Sequence, residues 1–316
     1  MSLLSVIDNA PPLRRLQDSV YERLSNRSLM IGLTVIPVLL LLTFVLILPI
    51  IWAIRASFFE IPLFQADWNW VGAENYVATL TDAAFRSSLW RSIVFAVGSV
   101  VVQLVAGIGI ALVIAREFPF NKGVRAVVLL PYLIPTALLG YLGLWMFDTN
   151  WGVLNSILIR SGLSETGVQW FGNPDTAMLA LILATAWKYA IFVTILVLAR
   201  LQSIPEGYYD AARVAGASRW QQFRDITLPN LKGVIFIVVL LRGVWMFNKY
   251  DIIDVMTGGG PGDATETAPI YAYDVAFGNY NLGQSAAVSV VLFAILIVAA
   301  VIYFRVLEPE SEVRTE

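Results

Sequence analysis

Six long apolar stretches, at 30–54, 92–115, 124–147, 177–199, 233–247 and 284–304, constrain this chain more than any other feature. Crossing ~30 Å of hydrocarbon takes roughly 20 helical residues. Five of the six stretches reach that length. The fifth is short and holds Arg242, so it is expected to continue through 248–256 or to lie against protein instead of lipid. Leu, Val, Ile and Ala fill the stretches without strict alternation, which predicts helices and not barrel strands. Composition agrees. The 316 residues are 58% apolar and 14% charged, whereas a soluble chain carries roughly 25% charged residues. The expected fold is an all-α polytopic membrane protein with six transmembrane helices. Cysteine and histidine are absent, which removes disulfides, Cys/His zinc sites and His-based catalytic triads. A net charge of −2 gives no basis for nucleic-acid binding.

Three regions follow: a tail at 1–29, a membrane domain at 30–304 and a second tail at 305–316. In the first tail, Leu13, Leu16, Val20 and Leu24 share one helical face and Arg14, Arg15, Glu22 and Arg23 fill the others. That pattern predicts a short amphipathic helix on the membrane surface over 12–25. The first span is too long for a cleaved signal peptide and has no small-residue cleavage site after it. Of the 21 Lys and Arg residues, fourteen fall in the two tails and the second and fourth loops, five fall on the other side, and Lys188 and Arg242 lie inside spans. The positive-inside rule therefore places both termini in the cytoplasm. Trp68, Trp70, Trp90, Trp145, Trp151 and Trp170 lie near outer span ends, as an aromatic belt would.

The fourth loop, 200–232, carries the most local punctuation. Ser203-Ile-Pro-Glu206 reads as a capping box that opens a helix through Ala215, and Gly216 supplies the stop. Ser218-Arg-Trp-Gln221 reads as a second capping box, with a short helix that ends before Pro229. Tyr208, Ala211, Ala212 and Ala215 line one face of the first helix, with Asp210 and Arg213 beside them. A stripe of small residues followed by Gly invites close approach of another surface. The outer loop 248–283 holds the turn-forming tract Gly258-Gly-Gly-Pro-Gly262 among acidic residues. No Gly-Lys-Ser/Thr follows it and no Walker A pattern occurs in the chain, so any ATP the system uses is bound by another subunit.

Asp210-Ala-Ala-x3-Gly216-x9-Ile226-x-Leu228-Pro229 resembles the EAA loop of binding-protein-dependent ABC importer permeases. The family's glutamate is Asp210 here, and the acid often found before the Gly is Ala215. Two further stretches resemble the maltose-type carbohydrate branch. One is Arg125-Ala-Val-Val-Leu-Leu-Pro131 to Pro135 with Trp145-Met-Phe and Gly152-x2-Asn155. The other is Met256-Thr-Gly-Gly-Gly-Pro261 with Thr265-Glu-Thr, Tyr271, Tyr280 and Gly283. The resemblance implies the type I importer permease fold in a bacterial or archaeal cytoplasmic membrane. It implies that Asp210, Ala211, Ala212, Arg213 and Gly216 form the coupling surface for an ATPase. The implied partners are a second, different permease, two ATPase subunits using ATP and Mg, and an extracytoplasmic binding protein met by the outer loops 148–176 and 248–283. The chain itself is expected to bind no cofactor and to catalyse no reaction.

Lys188 sits at the middle of 177–199. Arg242 lies ten residues into the fifth stretch, roughly 15 Å from its inner end at 1.5 Å per residue. An ionisable group at the midplane costs ~2.5–3.5 kcal/mol and normally faces a partner or a cavity. No span carries an acid, so the counter-charge must come from water, carbonyls, another subunit or a ligand. The family resemblance implies sugar contacts at Thr185, Lys188, Tyr189, Phe192, Arg242, Trp245, Met246 and Lys249, with Asn248 adjacent. Three cations, Lys188, Arg242 and Lys249, make an anionic sugar or glycoside a candidate substrate. The competing readings are a permease for a non-sugar solute and a self-sufficient secondary transporter. The latter often carries inverted repeats, and none is found here.

Overall fold

A computed structural model describes residues 27–64, 68–116 and 119–307. The amphipathic helix expected over 12–25 lies outside the described residues. The chain divides into two compact units at Ala56.

The first unit is one apolar helix, α1, built from Arg27–Leu42, a π turn at Thr43–Ile47, and Leu48–Ala56. Its side chains are apolar around the whole circumference and almost all exposed. A helix of this kind is a membrane span, with lipid or another protein covering it.

The second unit holds the remaining elements. A two-residue antiparallel ribbon, β1 (Phe59–Glu60) and β2 (Asn69–Trp70), pairs Phe59 with Trp70. It is a small departure from the all-α expectation, and Phe58, Phe59 and Trp70 hold it by ring packing at 5.1–5.6 Å. The helices follow in order: α2 (Glu74–Thr81), α3 (Ala83–Ile114), α4 (Asn121–Leu129), α5 (Thr136–Met146), α6 (Val153–Arg160), α7 (Pro174–Ser203), α8 (Glu206–Val214), α9 (Arg219–Phe247), α10 (Asp251–Thr257), α11 (Ala268–Tyr273) and α12 (Leu282–Leu307).

α7 is the centre of this unit, with 67% of its most apolar window buried. It packs along α3 so closely that a Cβ on Gly107 would sit 2.5 Å from Val193 Cβ and 2.7 Å from the Ala190 carbonyl. Thr194 Oγ1 then donates to the Gly107 carbonyl across the contact at 3.2 Å. A glycine is what permits this approach of two spans. The larger core lies around Phe95, Leu139, Leu181, Met246 and Ile252. A second, smaller core of Ala111, Val193, Val197, Leu231 and Val238 lies nearer the loop that joins α7 to α9.

Two expectations for the spans are corrected. The stretch 124–147 is not one straight helix. α4 runs through a 3-10 turn at Leu130–Leu133, and the chain then bends by 99° into α5. Pro135 lacks an N–H and pushes Ile134 into extended backbone, ψ 126°, which no helix accommodates. The fifth span does not continue through 248–256. It lengthens on its other side, because the second loop helix runs on through a π turn at Phe223–Thr227 and past Pro229 to Phe247. The wide turn absorbs the residue that cannot donate, so Pro229 does not end the helix. The outer side breaks at Asn248 and restarts as α10.

On the side that the loop charges assign to the exterior, the loops are folded by specific polar contacts. Asn155 donates to the carbonyls of Asp148, Thr149 and Val168 and accepts from the Val168 N–H and from Trp170 Nε1, all within 3.2 Å. Trp170 is thereby tied into the packing of this loop. Ser92 Oγ accepts from the Ala268 N–H at 2.7 Å, and Tyr271 donates to Asp82 at 2.6 Å. These bonds tie 258–273 to the outer end of α3.

Candidate functional site

Most of the expected site residues converge on the ring of Tyr189. Tyr189 is buried on α7. The Arg242 guanidinium lies 4.5 Å from its ring centroid, Lys249 Nζ 5.1 Å and Lys188 Nζ 5.5 Å. Phe192 and Trp245 stand 5.4 Å apart, edge to face, and both rings lie within 5.8 Å of the same guanidinium. Cations over aromatic faces gain ~0.5–2 kcal/mol each, more when desolvated. The arrangement joins α7, α9 and the segment just after α9.

Each cation meets a different partner. Lys188 Nζ donates to the Ile134 carbonyl. That carbonyl is available because the helix is broken at Pro135, so the bend in the third span supplies the acceptor that a buried lysine needs. Arg242 is 2% exposed; its Nε donates to Gln103 Oε1 at 2.8 Å, and its Nη2 lies 3.5 Å from Met246 Sδ. Lys249 forms an ion pair with Asp251 at 2.8 Å. Lys249 therefore leaves the set of uncompensated cations. Neither Lys188 nor Arg242 pairs with a carboxylate among the described residues. Tyr189 Oη is buried beside them, with the Lys249 ammonium as its polar neighbour.

Two expected residues stand apart. Thr185 is fully buried and donates to the Ile182 carbonyl of its own helix at 3.0 Å. Asn248 is exposed and bonds back to the Val244 carbonyl. Gln103, in contrast, was not among the residues singled out from the sequence. It is fully buried on α3 and is the oxygen acceptor that holds Arg242. A lone amide in an otherwise apolar span was the available signal.

The loop between α7 and α9 keeps the expected elbow with one correction. Ser203 does not cap α8, because α7 runs through Ser203 and its hydroxyl donates back to Arg200 O at 2.7 Å. Pro205 takes the cap position instead, without a side-chain bond. Gly216 has φ +80°, the left-handed region that glycine occupies at least cost. The Ser218–Gln221 capping box is present with both bonds, 2.7 and 3.3 Å. Asp210 and Arg213 pair with each other on the surface of α8, and Tyr208, Ala211 and Val214 are exposed beside them, Val214 at 92%. Arg200 Nε donates to the Asn230 carbonyl at 2.9 Å, fastening the C-terminal end of α7 to α9.

The outer end of α3 carries a second charged contact. Arg91 and Glu266 approach to 3.4 Å and are partly buried. Burial, reinforced by Asp263, Asp274 and Asp82 and opposed by Arg91, pushes the Glu266 carboxyl up to about 7.

Residues 103–312, which include α7, the elbow, α9 and α12, match the family described as binding-protein-dependent transport system inner membrane component. This chain belongs to that family. As a member it is a multi-pass inner-membrane permease component, with ATP hydrolysis lying in a separate subunit. Over 276 residues it is 32% identical to the sulfoquinovosyl glycerol transport system permease protein SmoG of Agrobacterium fabrum, covering 87% of this chain and 89% of that one. Over 295 residues it is 32% identical to the trehalose/maltose transport system permease protein MalF of Thermococcus litoralis, covering 92% and 98%. The fold is also that of a solved bacterial ABC transporter involved in the import of the acidic polysaccharide alginate. The TM-score there is 0.74 at 22% identity, over 91% of this chain and 99% of that one.

Proposed function

We propose that this chain is one of two different permease subunits of an ATP-driven importer, and that it carries a carbohydrate bearing an anionic group. Both termini lie in the cytoplasm, two ATPase subunits hydrolyse ATP with Mg, and an extracytoplasmic binding protein delivers the sugar to the loops 148–176 and 248–283. Asp210, Ala211, Ala212, Arg213 and Gly216 form the coupling surface. The elbow lies between the two helices that carry Lys188 and Arg242. A displacement of α8 therefore acts on both cations, and the Arg200–Asn230 contact makes their inner ends move together.

The observation that carries the substrate reading is the pair of buried cations with no carboxylate partner among the described residues. Lys188 and Arg242 flank the ring of Tyr189. Charge-assisted bonds from such groups to a sulfonate or carboxylate are roughly twice as strong as neutral ones. The exposed face of Trp245 and the ring of Phe192 supply apolar surface for a sugar ring. The relatives divide on this point, one being named for a sulfonated glycoside and one for neutral disaccharides. The uncompensated charge favours the former class.

The test is uptake of two glycosides that differ only at C6, sulfoquinovosyl glycerol and glucosyl glycerol, by cells expressing the complete transporter. Arg242→Gln is expected to lower uptake of the sulfonated compound at least tenfold more than that of the neutral one. Equal loss of both would assign Arg242 a purely structural role.

A further inference from the structure

Gln103 is chemically conspicuous at its position. It lies on α3, separated by 139 residues from Arg242, yet its Oε1 receives the Arg242 Nε–H at 2.8 Å while its own Nε2 faces Met246 Sδ at 3.4 Å. All three side chains are at most 2% exposed. The contact closes a triangle between α3 and α9 in which the amide oxygen is the strong acceptor and the thioether a weak one.

A glutamate would fit the same space, since it differs from glutamine only in replacing NH2 by O. It would also neutralise the guanidinium through a buried ion pair, and its second oxygen would face Met246 Sδ where the amide places Nε2. The amide does neither. It fixes one edge of the guanidinium by a directional bond and leaves the positive charge in place. The guanidinium carbon stays 4.5 Å from the centroid of the Tyr189 ring, with Nη2 beside Met246 Sδ.

We propose that Gln103 is the residue that sets the charge selectivity of this pathway. It holds Arg242 over the Tyr189 ring without cancelling its charge, so that the ligand's own anionic group completes the set. Gln103 does not need to touch the sugar. It acts through Arg242 and is a positioning residue. This inference rests on the reading that the substrate is anionic.

The test uses the purified, assembled transporter without its binding protein, so that only the membrane site discriminates. Binding of sulfoquinovosyl glycerol and of glucosyl glycerol is measured directly by equilibrium dialysis with labelled compounds. The wild type is expected to prefer the sulfonated compound. Gln103→Glu is expected to reduce that preference at least tenfold, leaving affinity for the neutral compound within about threefold, because a tenfold change corresponds to about 1.4 kcal/mol of lost charge-assisted binding. A wild-type preference that persists unchanged in Gln103→Glu overturns the role of Gln103 while leaving the anionic reading intact. No preference in the wild type overturns the anionic reading itself, and the role of Gln103 with it. If Gln103→Glu does not assemble, Gln103→Asn withdraws the neutral amide by one methylene. It must then weaken binding of the sulfonated compound more than that of the neutral one, and equal weakening overturns the proposal.

Discussion

Replacing Gly216 separates two reasons for a glycine at the elbow. The residue has φ +80°, and a Cβ built there meets nothing within 4 Å. Within this chain the cost of a side chain is therefore backbone strain and not collision. For an L-residue held in the left-handed region that cost is ~1–2 kcal/mol, and less for Asn, which bonds locally there. A change of this size shifts the population of the native elbow by roughly 5–30-fold. The variants are Gly216→Ala, Gly216→Leu and Gly216→Asn. The assay is the ratio of sugar transported to ATP hydrolysed in proteoliposomes holding the complete transporter. Ala is expected to lower the ratio about 5–30-fold, and Asn less than that. Leu should match Ala if strain alone acts, and should fall well below it if the small residue also makes room for the ATPase. Wild-type coupling in Gly216→Ala would refute the reasoning, because strain is then either absent or irrelevant to transmission.

Two further outcomes follow from the geometry. Gly107→Val should lower the thermal stability of the purified complex by the ~1–3 kcal/mol typical of overpacking, since its Cβ would fall 2.5 Å from Val193. Gly109→Ala, with open space around the Cβ, should be neutral or slightly stabilising, and equal destabilisation by both would count against close α3–α7 packing. The Glu266 carboxyl, raised from the usual 4.5 to about 7, binds its proton more tightly in the folded loop than in the unfolded chain. The outer loop should therefore be firmest below about pH 4.5 and loosen as pH rises through about 7. Alkylation of a cysteine introduced at the buried Thr267, normalised to one at the exposed Asn173, should speed up over that window. Glu266→Gln should flatten the response, and an unchanged response would remove Glu266 as its cause.

The parts of this molecule written into local sequence were legible. Apolar run length gave the spans, φ-permissive Gly216 gave the elbow, and Ser218 with Gln221 gave the cap that opens α9. Lys188 and Arg242 stood out as cations inside apolar spans. Other features depended on how prolines were accommodated. Pro135 breaks the third span because nothing widens the turn before it, whereas Pro229 is passed because the preceding turn is a π turn. Both look alike as letters. Ser203 sat in a good capping pattern, but α7 had further favourable turns to make and consumed it. The partners of the cations were the least legible. Ile134 offers its carbonyl to a lysine 54 residues away, and Gln103 its amide to an arginine 139 residues away. Such pairings arise from tertiary packing and leave no local periodicity. Lys249 appeared free in sequence because Asp251, two positions on, belongs to a short helix that the apolar pattern did not reveal.

The central claim is that this chain moves an anionic carbohydrate only as part of an ATP-driven assembly. The most direct measurement is uptake of labelled sulfoquinovosyl glycerol into proteoliposomes containing this chain, a second permease and two ATPase subunits, with the binding protein on the outside and ATP and Mg enclosed. Accumulation that requires every component, and that exceeds uptake of glucosyl glycerol, is the predicted result. Accumulation by this chain alone without ATP, or a failure to distinguish the two glycosides, would contradict the account.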